Sequence, residues 1–301
     1  VHGDYEHIDG ALQSLYATTH TPCHIVITIN TGDDPKIEAI RRDYPDVEIV
    51  VNDQPRGFAE NHNAVMRRVE TPFVALLNDD LMLHDGALDT LVGYLKDHPR
   101  AGLVGPALQN PDGSPQVSAY SDPSLFRTIY KISGIATLTS QQSPIRRWLL
   151  KSGLLNRLKI ESFNTTRKAR SVQVIKGAAM VVRREAHLQA GLMDEVTRAY
   201  GEEYGWHLRL RRQGWDVVLV PEAKVTHYGL GQAKLKLQGW LLTEDRKASL
   251  AYYLQYRPAW QGFVVRSTII IAHTCYGLMW TPFNRERAKS HFNTVKMALR
   301  L

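Results

Sequence analysis

Cysteine is nearly absent: Cys23 and Cys275 are the only two in 301 residues, and neither sits in a C-x-x-C pair. That excludes a disulfide framework and a cysteine-based metal cluster, and it points to a reducing, cytosolic compartment. No G-x-x-x-x-G-K-[ST] loop and no G-x-G-x-x-G turn occurs, so P-loop and ordinary dinucleotide chemistry fall away. Blocks of like charge are missing too. The chain carries 37 Lys and Arg against 30 Asp and Glu, a net charge of +7, yet the cations are scattered and make no nucleic-acid footprint. A phosphorylated substrate or an anionic lipid surface suits them better. The opening VHGDYEHIDG has no apolar stretch, so no signal peptide is expected. The most apolar late run, 263–280, is broken by Arg266 and His273, whereas a membrane span needs about 20 mostly apolar residues. An interfacial or packed helix is expected there. Internal repeats and low-complexity tracts are also lacking.

What is present is 44% apolar, enough for one large α/β domain or one domain with an appendage. Apolar spacing at Ile8, Leu12 and Leu15 predicts an opening helix. HIVITIN (24–30), VEIVVN (47–52), FVALLND (73–79) and AGLVGPAL (101–108) are strand-like. Helices are expected between them, over 36–43, 56–69 and 85–98. The alternation predicts a mostly parallel, Rossmann-like sheet flanked by crossover helices. Residues 109–171 break the rhythm with polar, basic, helix-like pieces, and ordered loops of that length are usually functional. VIKGAAMVVRREAHLQAG (174–191) reads strand, turn, strand, helix, and WDVVLVP (215–221) is a further strand. The expected organisation is an α/β domain over 1–230, with 109–171 inserted, and a helical region over 231–301.

Four stretches carry residues suited to chemistry. LLNDDLML (76–83) puts Asn78, Asp79 and Asp80 at a strand end, where open α/β sheets bind ligands. Adjacent carboxylates repel unless a cation neutralises them, and Mg²⁺ or Mn²⁺ shares oxygen ligands with phosphates. A solvated turn with a helix cap at Asp80 or Asp85 accounts for them equally well. GEEYGWHLRLRRQGW (201–215) puts Glu202 and Glu203 in the first turn of a helix. There they favour the positive dipole end, or one of them is a general base. Arg209 would anchor that helix or the glutamate pair, and Trp206 would offer a wall for a sugar. PEAKVTHYG (221–229) ends a strand with His227, which is a structural hydrogen-bonder or the imidazole of an oxygen-rich metal site. RGFAENHN (56–63) turns at Gly57 and sets Asn61 and Asn63 near a helix start, either an anion-attracting terminus or an ordinary cap.

Taken in order, these stretches resemble family-two glycosyltransferases, the inverting, nucleotide-sugar-dependent enzymes of the GT-A fold. Within that family the chain is most similar to bacterial rhamnosyltransferase-like members acting on cell-envelope glycans. The likeness runs from about residue 5 to about residue 256. It rests on INTGDD with Asn30 and Asp34, PRGFAENHN with Gly57, Phe58 and Asn63, and NDD at 78–80. KGAAMVVRRE (176–185), EEYGWHLRLRRQG (202–214) and PEAKVTH (221–227) complete it. The resemblance implies that Asp80 and His227, supported by Asn78 and Asp79, hold Mg²⁺ or Mn²⁺ on the nucleotide diphosphate. It implies Glu203 as general base, with Glu202 and Arg209 shaping that site and Trp206 facing the acceptor. Asn30, Asp34, Arg56, Gly57 and Asn63 would line the nucleotide pocket, and Gly177 and Ala178 would lie where donor and acceptor meet.

Three positions depart from the pattern. Ile29 stands where the family has Asp, Glu203 where the base is usually Asp, and Gly205 where a second acid is usual. The chain also starts just beyond the family's opening strand, so a truncated N-terminus or a sheet completed differently is expected. The implied function is metal-dependent inverting transfer from dTDP-rhamnose or a UDP-sugar to a cell-envelope glycan or polyprenyl-linked acceptor. Arg146, Arg147, Trp148, Leu149 and Leu150 mix cations with apolar groups, as interfacial segments do. A cytoplasmic protein, peripheral on the inner face of the cell membrane and touching an anionic surface, is therefore expected. A nucleotide-sugar-binding protein without catalysis is the alternative. A nucleotidyltransferase would need an early glycine-rich, lysine-bearing loop, which the chain lacks.

Overall fold

The computed structural model describes residues 7–30, 35–134, 161–162, 168–229 and 238–301. Asp34 and the expected interfacial stretch 146–150 lie outside the described residues. In chain order the elements begin with α1 (Ile8–Thr18), β1 (Val26–Ile29), α2 (Pro35–Asp43), β2 (Glu48–Val51) and α3 (Phe58–Met66). β3 (Phe73–Leu77), β4 (Leu81–Leu83), α4 (Ala87–Asp97), β5 (Ala101–Gln109), β6 (Ala119–Tyr120) and α5 (Leu125–Ile132) follow. Next come β7 (Glu161–Ser162), β8 (Arg170–Ser171), β9 (Val174–Ile175), β10 (Ala179–Arg183) and α6 (Arg184–Ala190). The chain ends with α7 (Glu202–Arg212), β11 (Asp216–His227), α8 (Gln238–Tyr256), α9 (Ala259–Trp280) and α10 (Arg285–Arg300). Two compact units result. One comprises Val1–Ser121, Glu161–Arg198 and Trp206–Leu230; the other comprises Asp122–Ile160, Ala199–Gly205 and Gly231–Leu301.

The first unit is an α/β body built on a sheet in the order β3-β10-β5-β11-β4, with β8 also paired to β11. The expected mostly parallel pairing is corrected here: the sheet is mixed. β5 and β11 run parallel, but β10 is antiparallel to both β3 and β5, and β4 and β8 are antiparallel to β11. A helical crossover would have kept the strand after β5 parallel to it. The chain instead reaches β10 through residues 110–178, a connection that imposes no such direction. β1 and β2 form a separate parallel pair, and β7, β6 and β9 a small antiparallel sheet.

Burial explains why these segments fold as they do. Residues 101–108 are all buried, the pattern of a strand covered on both faces, and β5 lies mid-sheet. α4 spaces Leu88, Leu91, Val92 and Leu95 at helical intervals, and that stripe packs in one cluster with Leu83, Val104, Val181 and Val218 of the sheet. Ile8 and Leu12 of α1 and Ile37 and Ile40 of α2 close over Ile27 and Ile29 of β1.

The described residues of the second unit are mainly helical. Tyr253 is fully buried, and its hydroxyl meets Thr128 Oγ1 and the Pro123 carbonyl, each at 3.2 Å. A polar chain also runs through its interior. Arg246 Nε donates to His273 Nε2 at 3.4 Å, and His273 Nδ1 lies 3.0 Å from His291 Nδ1. Burial, then the neighbouring Arg246 cation, pushes the His273 imidazole down to about 3, so it stays neutral.

Gly105 marks the tightest point of the β5 core: a Cβ there would come within 2.3 Å of Ile175 Cγ2. Gly105→Ala is expected to destabilise the protein by about 1–3 kcal/mol, because overpacking forces neighbours off their rotamers. Urea unfolding checks this as a lowered midpoint at constant slope. An unchanged midpoint would show that Ile175 can move aside freely.

Candidate active site

Strand register brings Asp80 and His227 together. β11 is irregular between Val220 and Lys224, and beyond that point it pairs with β4, setting His227 opposite Leu81. The Tyr228 N–H then donates to the Asp80 carbonyl at 3.0 Å. Asp80 Oδ1 ends 3.5 Å from His227 Nε2, with the two side chains only 16% and 10% exposed. Asn78 donates its backbone N–H to the Ala178 carbonyl at 2.9 Å, so the 78–80 turn lies against Gly177 and Ala178. Asn78 and Asp79 are half-buried in that turn.

Gln116 decides the chemistry of the imidazole. Its Nε2 donates to the His227 carbonyl at 3.1 Å and to Asn110 Oδ1 at 2.8 Å, which fixes the amide orientation. Its Oε1 therefore faces His227 Nδ1 at 2.7 Å and Lys176 Nζ at 2.7 Å. An amide oxygen only accepts, so Nδ1 carries the proton and Nε2 presents a lone pair. Burial pushes the imidazole below its ordinary value; the Asp80 carboxylate opposes this and the Lys176 cation adds to it. The ring is thus neutral at pH 7. Asp80 Oδ1 is buried and has no hydrogen-bond donor among the described residues. Two acceptors face each other across a gap that suits a cation.

Several residues expected to line the nucleotide pocket do other work. Asn30 is buried, and its amide clamps the Arg56 backbone: Oδ1 accepts from Arg56 N and Nδ2 donates to Arg56 O, both at 3.0 Å. Asn52 and Asn61 also donate to that Oδ1, at 2.8 and 3.3 Å. Asn30 thus positions the exposed Arg56 turn. Gly57 is required by close approach of backbone, since a Cβ there would meet Arg198 Cα at 2.8 Å. Asn63 is corrected outright. It is fully buried and ties α3 to the chain beyond α6, donating to Met193 O at 2.9 Å and Glu195 Oε1 at 2.8 Å while accepting from Met193 N at 3.1 Å.

The α7 residues divide similarly. Trp206 is fully buried and donates Nε1–H to the Gly191 carbonyl at 2.8 Å, so it is a core side chain and faces no acceptor. Arg209 braces the same loop, donating to Ala190 O at 2.9 Å, to Asp194 Oδ1 at 2.7 Å and to the Leu192 carbonyl. These bonds anchor α7 to the loop, one of the two tasks expected of Arg209. The division between the units falls inside α7, before Trp206, so Glu202 and Glu203 belong to the second unit. Their turn is strained. Tyr200 has φ 70°, left-handed for a non-glycine residue, and Gly201 has φ 81°. A Cβ on Gly201 would also meet Ala248 Cβ at 2.7 Å. Glu202 is buried, with Oε2 lacking a hydrogen-bond partner among the described residues. Burial first, then the Glu203 and Glu244 carboxylates, raises it to about 8. Glu202 therefore keeps its proton well above the usual carboxylate range.

A family model described as glycosyltransferase like family 2 matches residues 6–262. The chain belongs to glycosyltransferase family 2. It is 27% identical over 233 residues to N-acetylglucosaminyl-diphospho-decaprenol L-rhamnosyltransferase of Mycobacterium tuberculosis, covering 74% of this chain and 72% of that one. Mannosyltransferase PcManGT from Pyrobaculum calidifontis, solved with GDP-Man and Mn2+, is similar with TM-score 0.53 and 12% identity, over 99% of this chain and 85% of that one. GalNAc-T7, solved with UDP, GalNAc and Mn2+, is similar with TM-score 0.51 and 14% identity, over 74% of this chain. The match spans 41% of that larger structure, less than half its length. These likenesses show the GT-A fold, and the chain is a glycosyltransferase using a nucleotide sugar.

The glycosyltransferase fits a divalent ion at Asp80 and His227. The fit rests on the orphaned Asp80 Oδ1 and the opposing Nε2 lone pair. No group of three or more His, Cys, Asp or Glu converges among the described residues, so these two would share an ion with phosphate and water oxygens. Sequence reasoning missed Gln116 and Lys176. Lys176 was visible as the head of the KGAAMVV stretch, but nothing in the NPDGSPQ turn singled out Gln116.

The raised Glu202 carboxyl makes stability depend on pH. The folded chain keeps a proton that the unfolded chain releases near 4.5, so this contribution is complete below that value and is lost as pH rises toward about 8. Glu202→Gln is expected to flatten the fall in urea midpoint between acidic and mildly alkaline buffer. Identical pH profiles for the two proteins would contradict a buried, protonated Glu202.

Proposed function

We propose that this glycosyltransferase moves rhamnose from dTDP-rhamnose, with inversion, to a sugar on a polyprenyl-diphosphate lipid, and that it depends on Mg²⁺ or Mn²⁺. It works on the cytoplasmic side, peripheral to the membrane. The observation that carries the metal requirement is the facing of Asp80 Oδ1 and the His227 Nε2 lone pair at 3.5 Å. The activity named for the mycobacterial relative supports the choice of donor and acceptor.

Each residue has a stated task. The bound cation would act as a Lewis acid on the leaving diphosphate. Glu203 takes the proton of the acceptor hydroxyl, for which a carboxylate within hydrogen-bond reach is required. Glu202, protonated, adds no second negative charge beside Glu203. Lys176 adds a fixed positive charge beside His227, on the side of the ring away from Asp80. A single displacement at the anomeric carbon, through an oxocarbenium-like transition state, inverts its configuration.

The test is a donor panel of dTDP-rhamnose, UDP-galactofuranose, UDP-glucose and UDP-N-acetylglucosamine, with a lipid-diphosphate N-acetylglucosamine acceptor. Release of dTDP from dTDP-rhamnose is expected only when acceptor and Mn²⁺ are both present. Glu203→Gln should lower kcat about 10²–10⁴-fold while leaving donor affinity nearly unchanged. Donor binding without turnover in the unaltered protein would indicate a binding protein, and pyrophosphate release would indicate nucleotidyl transfer.

A further inference from the structure

The second unit carries an apolar face that the reaction does not use. Along α9, Trp260, Phe263, Ile271 and Leu278 are 60, 70, 65 and 63% exposed. At 3.6 residues per turn these positions share one narrow face about 27 Å long. Ser267, Thr274 and Cys275 fall beside them, and no acid interrupts the row. The opposite face is covered. Gly262, Val265, Ile269, His273 and Gly277 are buried, and Gly277 sits so close to Phe292 of α10 that a Cβ would come within 2.7 Å of its ring. Several large apolar side chains exposed along one helix face mark a contact surface.

Charge identifies what covers it. Residues 257–301 hold seven Lys and Arg against the single acid Glu286, a net +6 of the chain's +7. Arg285, Arg287 and Lys289 are exposed at the start of α10, just past the end of the apolar row. Arg287 lies 3.9 Å over the Trp280 ring, and Arg257, at the other end of α9, lies 5.3 Å over Tyr252. An apolar row with cations and aromatic rings at its ends is the composition of a helix lying in a headgroup layer. A second copy of the chain is a poor occupant, because two surfaces of the same strong sign repel.

α9 is long and apolar enough to cross a bilayer, with 22 residues and mean hydropathy 1.3 in its most apolar window. Crossing would carry the Asp245–Arg246 pair of α8 and the cations of α10 into hydrocarbon beside it, at a large cost. We propose that α9 instead lies along an anionic bilayer, its exposed face in the boundary between headgroups and acyl chains and the α10 cations on the lipid phosphates. The inference deepens the lipid-linked reading of the acceptor, since it places the enzyme on the surface where such an acceptor resides.

Co-sedimentation of the full chain with vesicles tests this. Binding is expected to vesicles of phosphatidylcholine with phosphatidylglycerol, to weaken with added salt, and to be much weaker to phosphatidylcholine alone. The triple variant Trp260→Ser, Phe263→Ser, Ile271→Ser should lose about tenfold or more in partitioning, as should Arg285→Glu, Arg287→Glu, Lys289→Glu. Both sets alter exposed side chains, so turnover of a water-soluble acceptor and the circular dichroism spectrum should persist. Unchanged partitioning in either variant would overturn the proposal. So would a dimer, seen by light scattering, that the apolar variant dissociates while the unaltered protein ignores vesicles. Vesicle binding without any glycosyl transfer would sink the function proposed above and leave the docking surface standing.

Discussion

A buried carboxylate oxygen facing an imidazole lone pair is the constraint around which the first unit is arranged. An unsatisfied buried acceptor costs on the order of 1–3 kcal/mol, and more when it is charged. Nothing in the local sequence of Asp80 or His227 would hold them so. The β4–β11 register sets the pair side by side, and the Tyr228–Asp80 backbone bond locks that register. Gln116 then selects the tautomer that leaves Nε2 without a proton. Remove the amide and the imidazole is free to turn its N–H toward Asp80, which would close the gap with an ordinary hydrogen bond. The gap is held open by a contact one step removed from the two facing acceptors.

The same economy shows in the loop that leads from α6 to α7. Asn63, Trp206 and Arg209 each satisfy backbone groups between Ala190 and Met193, and Gly57 admits the Thr197–Arg198 backbone at close range. A loop of that length would otherwise carry unpaired carbonyls into the interior. Fastened at both ends, it delivers the chain to the left-handed Tyr200–Gly201 turn and so to Glu202 and Glu203. Glu202 is then driven by burial and by its neighbours to keep its proton.

Much of this was legible in the sequence and some was not. Strands, helices and the turns at 78–80 and 227 were legible because hydrophobic period and turn residues are local signals, and the order of the motifs identified the family. Strand direction was not legible: alternating strands and helices suggest parallel pairing, but direction after β5 depends on the long connection over residues 110–178. Side-chain destination was not legible either. Asn63, Trp206 and Arg209 are polar or amphipathic residues next to functional motifs, and sequence does not tell whether such a group meets a ligand or a buried carbonyl. Gln116 was invisible for a related reason. Its importance arises only when the NPDGSPQ turn folds back on the end of β5, through the Gln109–Pro115 bridge and the Gln116 N–H to Leu108 carbonyl bond, where β5 pairs with β11 beside His227.

The most direct test of the central claim is the affinity of the full chain for Mn²⁺ in the presence of a nucleoside diphosphate, read by electron paramagnetic resonance rather than by turnover. The account predicts saturable binding that Asp80→Asn and His227→Leu abolish. It also predicts that Gln116→Leu, which leaves both ligands in place, weakens binding about 10–100-fold. Mn²⁺ binding unaltered by Asp80→Asn and His227→Leu would contradict the account, because the cation would then be held somewhere else.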